Sequence, residues 1–514
     1  MRLSRTRRLV LGVLGVALLV SVALVGTSAA RTDATTGGTL VIGRTADVDT
    51  LDPHKATAFQ TVQTLGLIYG TLVQLNSKLD IVPGLATKWA FSNDSQTLTF
   101  TLRPKVKFHD GTPFTSADVA ASLNRILNPA TAAVARSNVA DIQSITTPGP
   151  LTVVLHLNDP DVPILAALAD LNTAILSSKD ISSGAFTTHP NGTGPFKFES
   201  WTPKQSIKLA RNSTYWANKV PLAGVQFRVI PDESSVVSAL RANQIQMGLI
   251  SDPVVARQVK GNGLKVLRQP ALSYHTLMLD DRHPPLDKLY VRLAIQCAVD
   301  RNQVLRTAAL GEGRVTGPIT SPAYRSDPAA RPCPTPNLTK AKQFMKASGF
   351  ANGGITLHTI VETGEYATAT AEAQSLQAQL EKIGINLDLQ VLDAGTYVKR
   401  WLAADFDAAV ALNGGRVDPD TMYNRYFTSN GNLNKVAGYA SPKLDQLFAQ
   451  GRATSDVAKR KAIYTQLSKN LESQGVWVWL FTAFDYYAVT PKVHNFVPMA
   501  NESLQYLRQT FLTK

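Results

Sequence analysis

The chain has 514 residues, of which 44% are apolar and 18% charged, and its formal net charge at pH 7 is +14. Such a length exceeds one hydrophobic core and implies two or three domains, while aromatic, proline and glycine residues spread throughout exclude a low-complexity chain. The positive charge is diffuse, its densest block being Lys459-Arg460-Lys461, which excludes a nucleic-acid-binding patch.

Arg2, Arg5, Arg7 and Arg8 precede an apolar run from Leu9 to Gly26 and the small residues Ser28, Ala29 and Ala30. This is the order of a secretory signal peptide, expected over residues 1–30; the run is also long enough to serve as an uncleaved anchor. No cysteine follows it, so a lipid anchor is not expected, and the body is expected in the periplasm or on the outer face of the cytoplasmic membrane. Without residues 1–30 the charge of +14 loses four arginines and becomes +10.

Gly38–Gly43 suits a buried strand, followed by an irregular polar turn over Val48–His54. Thr97–Arg103 alternates, with Leu98, Phe100 and Leu102 on one face, and Leu151–Leu157 repeats the pattern; both read as half-buried antiparallel strands. Between them His109 and Asp110 stand beside Gly111, where a catalytic or metal-binding pair is one reading. The architectural reading uses every residue. Val106 and Phe108 extend the strand pattern, Asp110-Gly111 is turn chemistry, and Pro113 keeps a helix from starting earlier. Thr115 and Asp118 then have capping-box spacing, ahead of the apolar face Val119, Leu123 and Ile126.

In the second half, Ala371–Ile383 reads as a helix stopped by Gly384 and followed by a strand over Ile385–Val391, an α/β unit. Ser441-Pro442 marks a helix start. Ile463, Leu467 and Leu471 lie on one helix face, and Val476–Phe481 reads as a buried strand. The two cysteines, Cys297 and Cys333, are expected to pair in an exported chain and to close a loop around the Pro-rich segment 318–336.

No zinc-hydrolase histidine pattern, nucleophile elbow or Walker loop is present. Asp280-Asp281-Arg282-His283 is the nearest approach to a metal cluster, and its arginine and following prolines favour an exposed loop. Neither a cofactor nor a metal is expected, and an enzyme is the weaker class; a secreted hydrolase would require a triad assembled in space.

Leu51–His54, Leu85–Trp89, Ser95–Arg103, Val106–Gly111, Phe114–Val119, Gly192–Phe196, Val291-Arg292, Ala298–Arg301, Ala347–Phe350 and Asp418–Asp420 together resemble the family 5 extracellular solute-binding proteins, the oligopeptide-, dipeptide- and nickel-binding group of ABC importers. The resemblance covers nearly all of residues 38–514 and departs at Leu240–Gln246, where relatives carry a Gly-Glu-x-Asp turn. It implies an α/β, two-lobed periplasmic-binding-protein-like fold with a hinge and an additional domain on the first lobe. Residues 38–75, 193–275 and 488–514 would form lobe I, 76–192 the extra domain and 276–487 lobe II. The implied function is capture of a peptide or related small solute by hinge closure and delivery to an ABC transporter permease and its ATPase, by a monomer. The scaffold also serves nickel chelates, oligosaccharides and opines; for a chelate, His494 or Arg136 would supply contacts.

The resemblance further implies that Asp418 receives the ammonium of a peptide, a role compatible with burial of charge on closure; Asp418-Pro419 is also an ordinary helix start. Asn413, Gly414 and Gly415 would run beside an extended ligand, the glycines allowing close backbone approach. Arg416 would meet a ligand carboxylate or remain a loop arginine. Tyr397, Trp401, Tyr423 and Tyr274 are candidates for pocket walls or for core aromatics.

Overall fold

The computed structural model describes residues 37–363 and 367–513; the leader expected over 1–30 lies outside them. Among the described residues no helix is long and apolar enough to cross a membrane. Lobe I is built on an eight-stranded sheet. Thr39–Arg44 is flanked in parallel by Gly224–Val229 and Met247–Ile250, with the helix Glu233–Arg241 as crossover. Ser206–Arg211 and Phe196–Thr202 extend one edge, and Phe481–Val489 followed by Lys265–Pro270 the other. Leu40, Ile42, Met247 and Val489 share one buried face, which explains the continuous apolar run at the start of the body.

Lobe II holds a five-stranded sheet in the order Ile385–Asp393, Ile355–Thr363, Ala408–Asn413, Tyr274–Leu279, Trp477–Trp479. Its α/β unit is the one the periodicity predicts: the helix Ala369–Leu380 ends in a tight turn at Gly384, φ 78°, and feeds Ile385–Asp393, parallel to Ile355–Thr363. The chain passes between the two sheets at 271–273 and again at Leu480. Boundaries at 275/276 and 487/488 therefore fall inside strands, Tyr274–Leu279 and Phe481–Val489. The run Val476–Phe481, expected as one strand, is divided: Trp477–Trp479 pairs in lobe II, whereas in Phe481–Val489 the first three residues pair with Gly313–Val315 and the stretch from Phe484 onward pairs in lobe I. Every residue of the run is buried, so no change of period marks the break.

The additional domain is a four-stranded antiparallel sheet, Ala86–Phe91, Thr97–Leu102, Thr152–Leu157 and Ile142–Gly149, packed on the helix Ser116–Leu127. The alternating residues Leu98, Phe100, Leu102, Val153, Leu155 and Leu157 meet Val119, Leu123 and Ile126 in one core. At the helix start the Asp118 carboxylate accepts from the Thr115 backbone N–H at 2.8 Å. Val106 and Phe108 are buried, but in a turn rather than an extension of the strand, bridged only at Lys107 and Pro113.

Three motifs of the first half dock this domain on lobe I. Gly192 N–H donates to His109 Nδ1 at 3.3 Å, so Nε2 carries the proton and donates to the Gly194 carbonyl at 3.1 Å. Asp110 accepts from the Thr112 backbone and hydroxyl. On the other side, Arg125 of the domain's helix grips Asp52 in bidentate fashion at 3.1 and 2.6 Å and donates to His54 Nδ1 at 2.6 Å, leaving Nε2 to donate to the Ala174 carbonyl at 2.8 Å. His109-Asp110 is thus a docking turn, with both ring nitrogens committed to backbone.

Cys297, in the helix Leu289–Ala298, is bonded to Cys333, with Cα atoms 5.0 Å apart. The 36-residue separation encloses Gly313–Val315, a strand that reaches across to pair with Phe481–Ala483. Replacing both cysteines by alanine is expected to cost about 2–4 kcal/mol through the freed loop, read as a lowered midpoint in denaturant unfolding. An unchanged midpoint would show that the buried neighbours hold the loop without the bond.

Candidate ligand-binding cleft

The carboxyl ends of the parallel strands in both lobes face the two chain crossings, the position where open α/β sheets place ligands. Two adjoining cavities, of about 470 and 370 Å³, lie there and share Phe59, Ser273 and Glu502 in their walls. The larger takes Arg44, Leu249, Ile250 and Asp485 from lobe I and His275, Glu362 and Leu412 from lobe II. The smaller lies between Thr57–Leu75 and Ala500–Gln505 of lobe I, Asp170–Asn172 of the additional domain, and Gly414–Val417, Thr421 and Arg425 of lobe II.

The wall of the larger cavity includes charged residues. Arg44 is 1% exposed. Its Nη1 donates to the Gln60 carbonyl at 2.9 Å and to Thr64 Oγ1 at 2.8 Å, and the guanidinium lies 4.5 Å from the Phe227 ring centroid. Its Nε and Nη2 have no hydrogen-bond acceptor among the described residues; the nearest carboxylate, Asp47, is 3.8 Å away. Burial lowers the Arg44 pKa to about 10, against the pull of Asp47. Asp485 presents a sealed Oδ2 with no hydrogen-bond partner among the described residues. Burial, and after it the charge of Glu502, push the Asp485 carboxyl well above the ordinary range. Ser273 Oγ donates to Glu502 at 3.3 Å. His275 is buried, stacked on Phe481 at 4.3 Å and 2.9 Å from the Glu372 carboxylate.

The smaller cavity is bridged across the lobes. Arg416 Nη1 donates to Asp170 of the additional domain at 2.9 Å. Nearby, Arg452 reaches Asp141 at 3.1 Å, and its carbonyl accepts from the Val162 backbone N–H at 3.1 Å. Arg425 stacks on Tyr426, with Nε unpartnered among the described residues.

Of the residues singled out in the sequence, Gly414, Gly415 and Arg416 line this smaller cavity. Gly414 has open space where a Cβ would stand, whereas Gly415 presses on the carbonyl of Leu272, so its bare Cα serves the crossing and not a ligand. Asn413 is turned into lobe II, donating to Thr276 Oγ1 at 3.0 Å. Asp418 lies behind the cavity wall, 6% exposed; it caps the helix Pro419–Phe427 through Asp420 N–H at 3.0 Å and pairs with Arg460 at 2.7 and 3.0 Å. An ammonium there would have to displace a bidentate guanidinium. Tyr274 and Tyr423 are core residues 5.9 Å apart, Tyr423 bonding the Pro318 carbonyl; Tyr397 donates to Val410 O at 3.0 Å, and half-buried Trp401 contacts Met278 sulfur at 3.4 Å. They brace the lobe instead of walling either cavity, because lobe II already has aliphatic faces for them to cover. His494 stacks on Phe511 and Arg136 donates to Leu127 O, both away from the cleft. Asp280 is taken by Arg282, and no group of three metal-ligating side chains forms among the described residues.

Sequence reasoning passed over Arg44 and Asp485. The signal was available: an arginine ending an apolar strand at its carboxyl end, and an aspartate interrupting the run Phe481–Val489.

Two lobes joined by two crossings, with a cleft at the join, define a hinged solute-binding protein. A family model for bacterial extracellular solute-binding proteins, family 5, matches residues 80–434, and the chain belongs to that family. It is 28% identical over 449 residues to the probable di/tripeptide-binding protein 5 of Pseudomonas aeruginosa (strain UCBPP-PA14), covering 80% of this chain and 84% of the relative. Among solved structures, AgaA from A. tumefaciens R10 in complex with agropinic acid superposes with a TM-score of 0.82 at 29% identity, covering 93% of this chain and 99% of that one. The ABC transporter-associated periplasmic binding protein DppA from Helicobacter pylori, in complex with peptide STSA, gives 0.79 at 26% identity, covering 93% and 98%. These relatives are binding proteins.

Proposed function

We propose that the protein is exported through its N-terminal leader, captures a short peptide or related small solute in the two-chambered cleft, and delivers it to an ABC transporter permease as a monomer without catalysis. The observation that carries this reading is the cleft itself, walled by strand ends of both lobes and therefore complete only when they close. Closure by ligand follows because the bound solute touches both walls in the closed state alone, so binding shifts the population toward it. Arg416–Asp170 and Arg452–Asp141 serve as the rim contacts of that state. For the lobes we propose residues 38–75 with 193–270 and 481–514, the additional domain 76–192, and lobe II 274–479, each crossing lying between paired strands. In the smaller chamber Gly414 runs beside the ligand and Arg416 closes over it, while Asp418 supports the wall from behind.

Native mass spectrometry of the protein purified from an exporting host tests the reading. Adducts with peptide masses are expected, and they give the preferred length. A single non-peptide adduct, such as an opine of the kind bound by AgaA, would keep the fold and transfer the function to that solute.

A further inference from the structure

The geometry points to Arg425 as the receptor of a carboxylate in the smaller chamber, with Arg416 as a second donor, so that the cleft selects an acidic solute. This inference rests on the solute-binding reading above and names the class of solute.

A guanidinium withdrawn from full hydration is costly unless acceptors meet its donors, and elsewhere in this protein they do. Arg125 is held by Asp52, Arg292 by the carbonyls of Leu286 and Gln474, Arg452 by Asp420 and Arg460 by Asp418. Arg425, half-buried in the last turn of Pro419–Phe427, has neither a hydrogen bond nor an ion pair from its side chain among the described residues. A cation at that end of a helix can donate to the free carbonyls of its own last turn; this one does not. Thr421 stands one turn earlier on the same helix face and lines the smaller chamber together with Arg425, so that face is a wall of the cleft.

The guanidinium is placed before any solute arrives. It lies against the ring of buried Tyr426, 4.8 Å from the centroid, and its Nε is sealed without an acceptor. Nη1 and Nη2 are neither sealed nor bonded among the described residues, and together they form the edge that a carboxylate meets with two hydrogen bonds. On the same wall Arg416 gives Nη1 to Asp170 at 2.9 Å and has no acceptor for its other donors among the described residues. The acids of this wall have donors of their own, Asp170 in Arg416 and Glu502 in the Ser273 hydroxyl, and neither pairs with Arg425. Gly414, two residues before Arg416, has open space where a Cβ would stand, which leaves room in the chamber for the solute. Closure removes water from an unpaired cation, and a carboxylate in the chamber offsets that cost.

Titration calorimetry with dialanine, its C-terminal amide and alanopine, a secondary amine bearing two carboxylates, tests the assignment. Dialanine is expected to bind, and the amide to bind roughly 10- to 100-fold more weakly, the loss for one charge-assisted contact. Arg425→Gln is expected to erase the difference between acid and amide, and Arg425→Lys, which keeps the charge but not the fork, to retain part of it. Because no acceptor in the chain loses a partner, R425Q is also expected to shift the denaturant midpoint of the solute-free protein no more than a surface substitution does; a large drop would make Arg425 a structural residue and overturn the assignment. Acid and amide binding alike would overturn it and leave the peptide reading standing. Binding of alanopine alone, lost in R425Q, would support the carboxylate receptor and end the peptide reading, whereas alanopine binding retained in R425Q, or binding of none of the three, would overturn the receptor.

Discussion

Asp418→Ala is expected to destabilise the protein by about 3–5 kcal/mol, the loss typical of leaving one member of a buried ion pair alone. Arg460 is 5% exposed, and all its donors are satisfied in the native state. Asp418 takes two bonds, the hydroxyls of Tyr324 and Tyr464 accept at 2.8 and 3.1 Å, and the Gly451 carbonyl accepts from Nε at 2.9 Å. Removing the carboxylate strands a guanidinium among aromatic side chains and also uncaps Pro419–Phe427, itself worth about 1 kcal/mol. That helix carries Thr421 and Arg425 to the smaller chamber, so weaker ligand binding is expected as a consequence of loosening, in proportion to the loss of stability. Asp418→Asn keeps the cap acceptor and is expected to lose less. Pairing the substitution with Arg460→Met removes the stranded charge and is expected to recover much of the stability. Equilibrium unfolding in denaturant reads all three variants. Unaltered stability in Asp418→Ala, with solute affinity abolished, would return this carboxylate to direct contact with the ligand.

How far the sequence discloses such a protein depends on how many faces of each element are buried. The additional domain was legible in detail because its sheet is covered on one side: Thr97–Leu102 and Thr152–Leu157 alternate, and the Thr115–Asp118 start announces the helix that covers them. The lobes were less legible. Their strands are buried on both faces, so the passage from Trp479 to Phe481, where the chain changes lobes, has no period to mark it. The same blindness affected the aromatic candidates, since Tyr274, Tyr397 and Tyr423 lie in the core of lobe II and nothing in their local pattern tells a core aromatic from one that faces the cleft. Gly414 and Arg416 were reachable because a polar, glycine-bearing loop after a buried strand has few places to go except the strand ends. Asp418 misled for a physical reason: an aspartate before proline at a helix start looks identical whether a ligand or Arg460 neutralises it, and the partner lies 42 residues on. Arg44 and Asp485 stand far apart in the sequence and meet at one cavity only in the fold.

Stability is expected to fall by about 3 kcal/mol for each of His54 and His109 as pH drops from 6.5 to 4, about 1.4 kcal/mol per unit of displaced pKa. Burial lowers both imidazoles from 6.5 to about 4, outweighing the carbonyl of Ala174 or Gly194, which favours the charged ring. In each ring one nitrogen donates to a backbone carbonyl and the other accepts from Arg125 or from Gly192 N–H. The accepting nitrogen has no room for a proton. Between pH 6.5 and 4 the unfolded chain therefore binds more protons than the folded one; this contribution is complete above pH 6.5 and lost as pH falls through the folded value. Other groups act with the opposite sign. Burial raises Asp281 and Glu472 to about 7 and Asp420 to about 6, even with Arg292, Arg331 and Arg452 respectively beside them, and protonating these acids favours the folded state. The raw pH profile is consequently a sum of opposing contributions, and the histidines are read by difference, comparing the unaltered protein with His54→Gln and with His109→Gln at pH 7 and pH 4. Each variant is expected to cost stability at pH 7 and to lose about 3 kcal/mol less than the unaltered protein on acidification. Equal losses in all three would mean that these rings accept protons in place, and that the additional domain is held on lobe I by Asp52 and Arg125 without them.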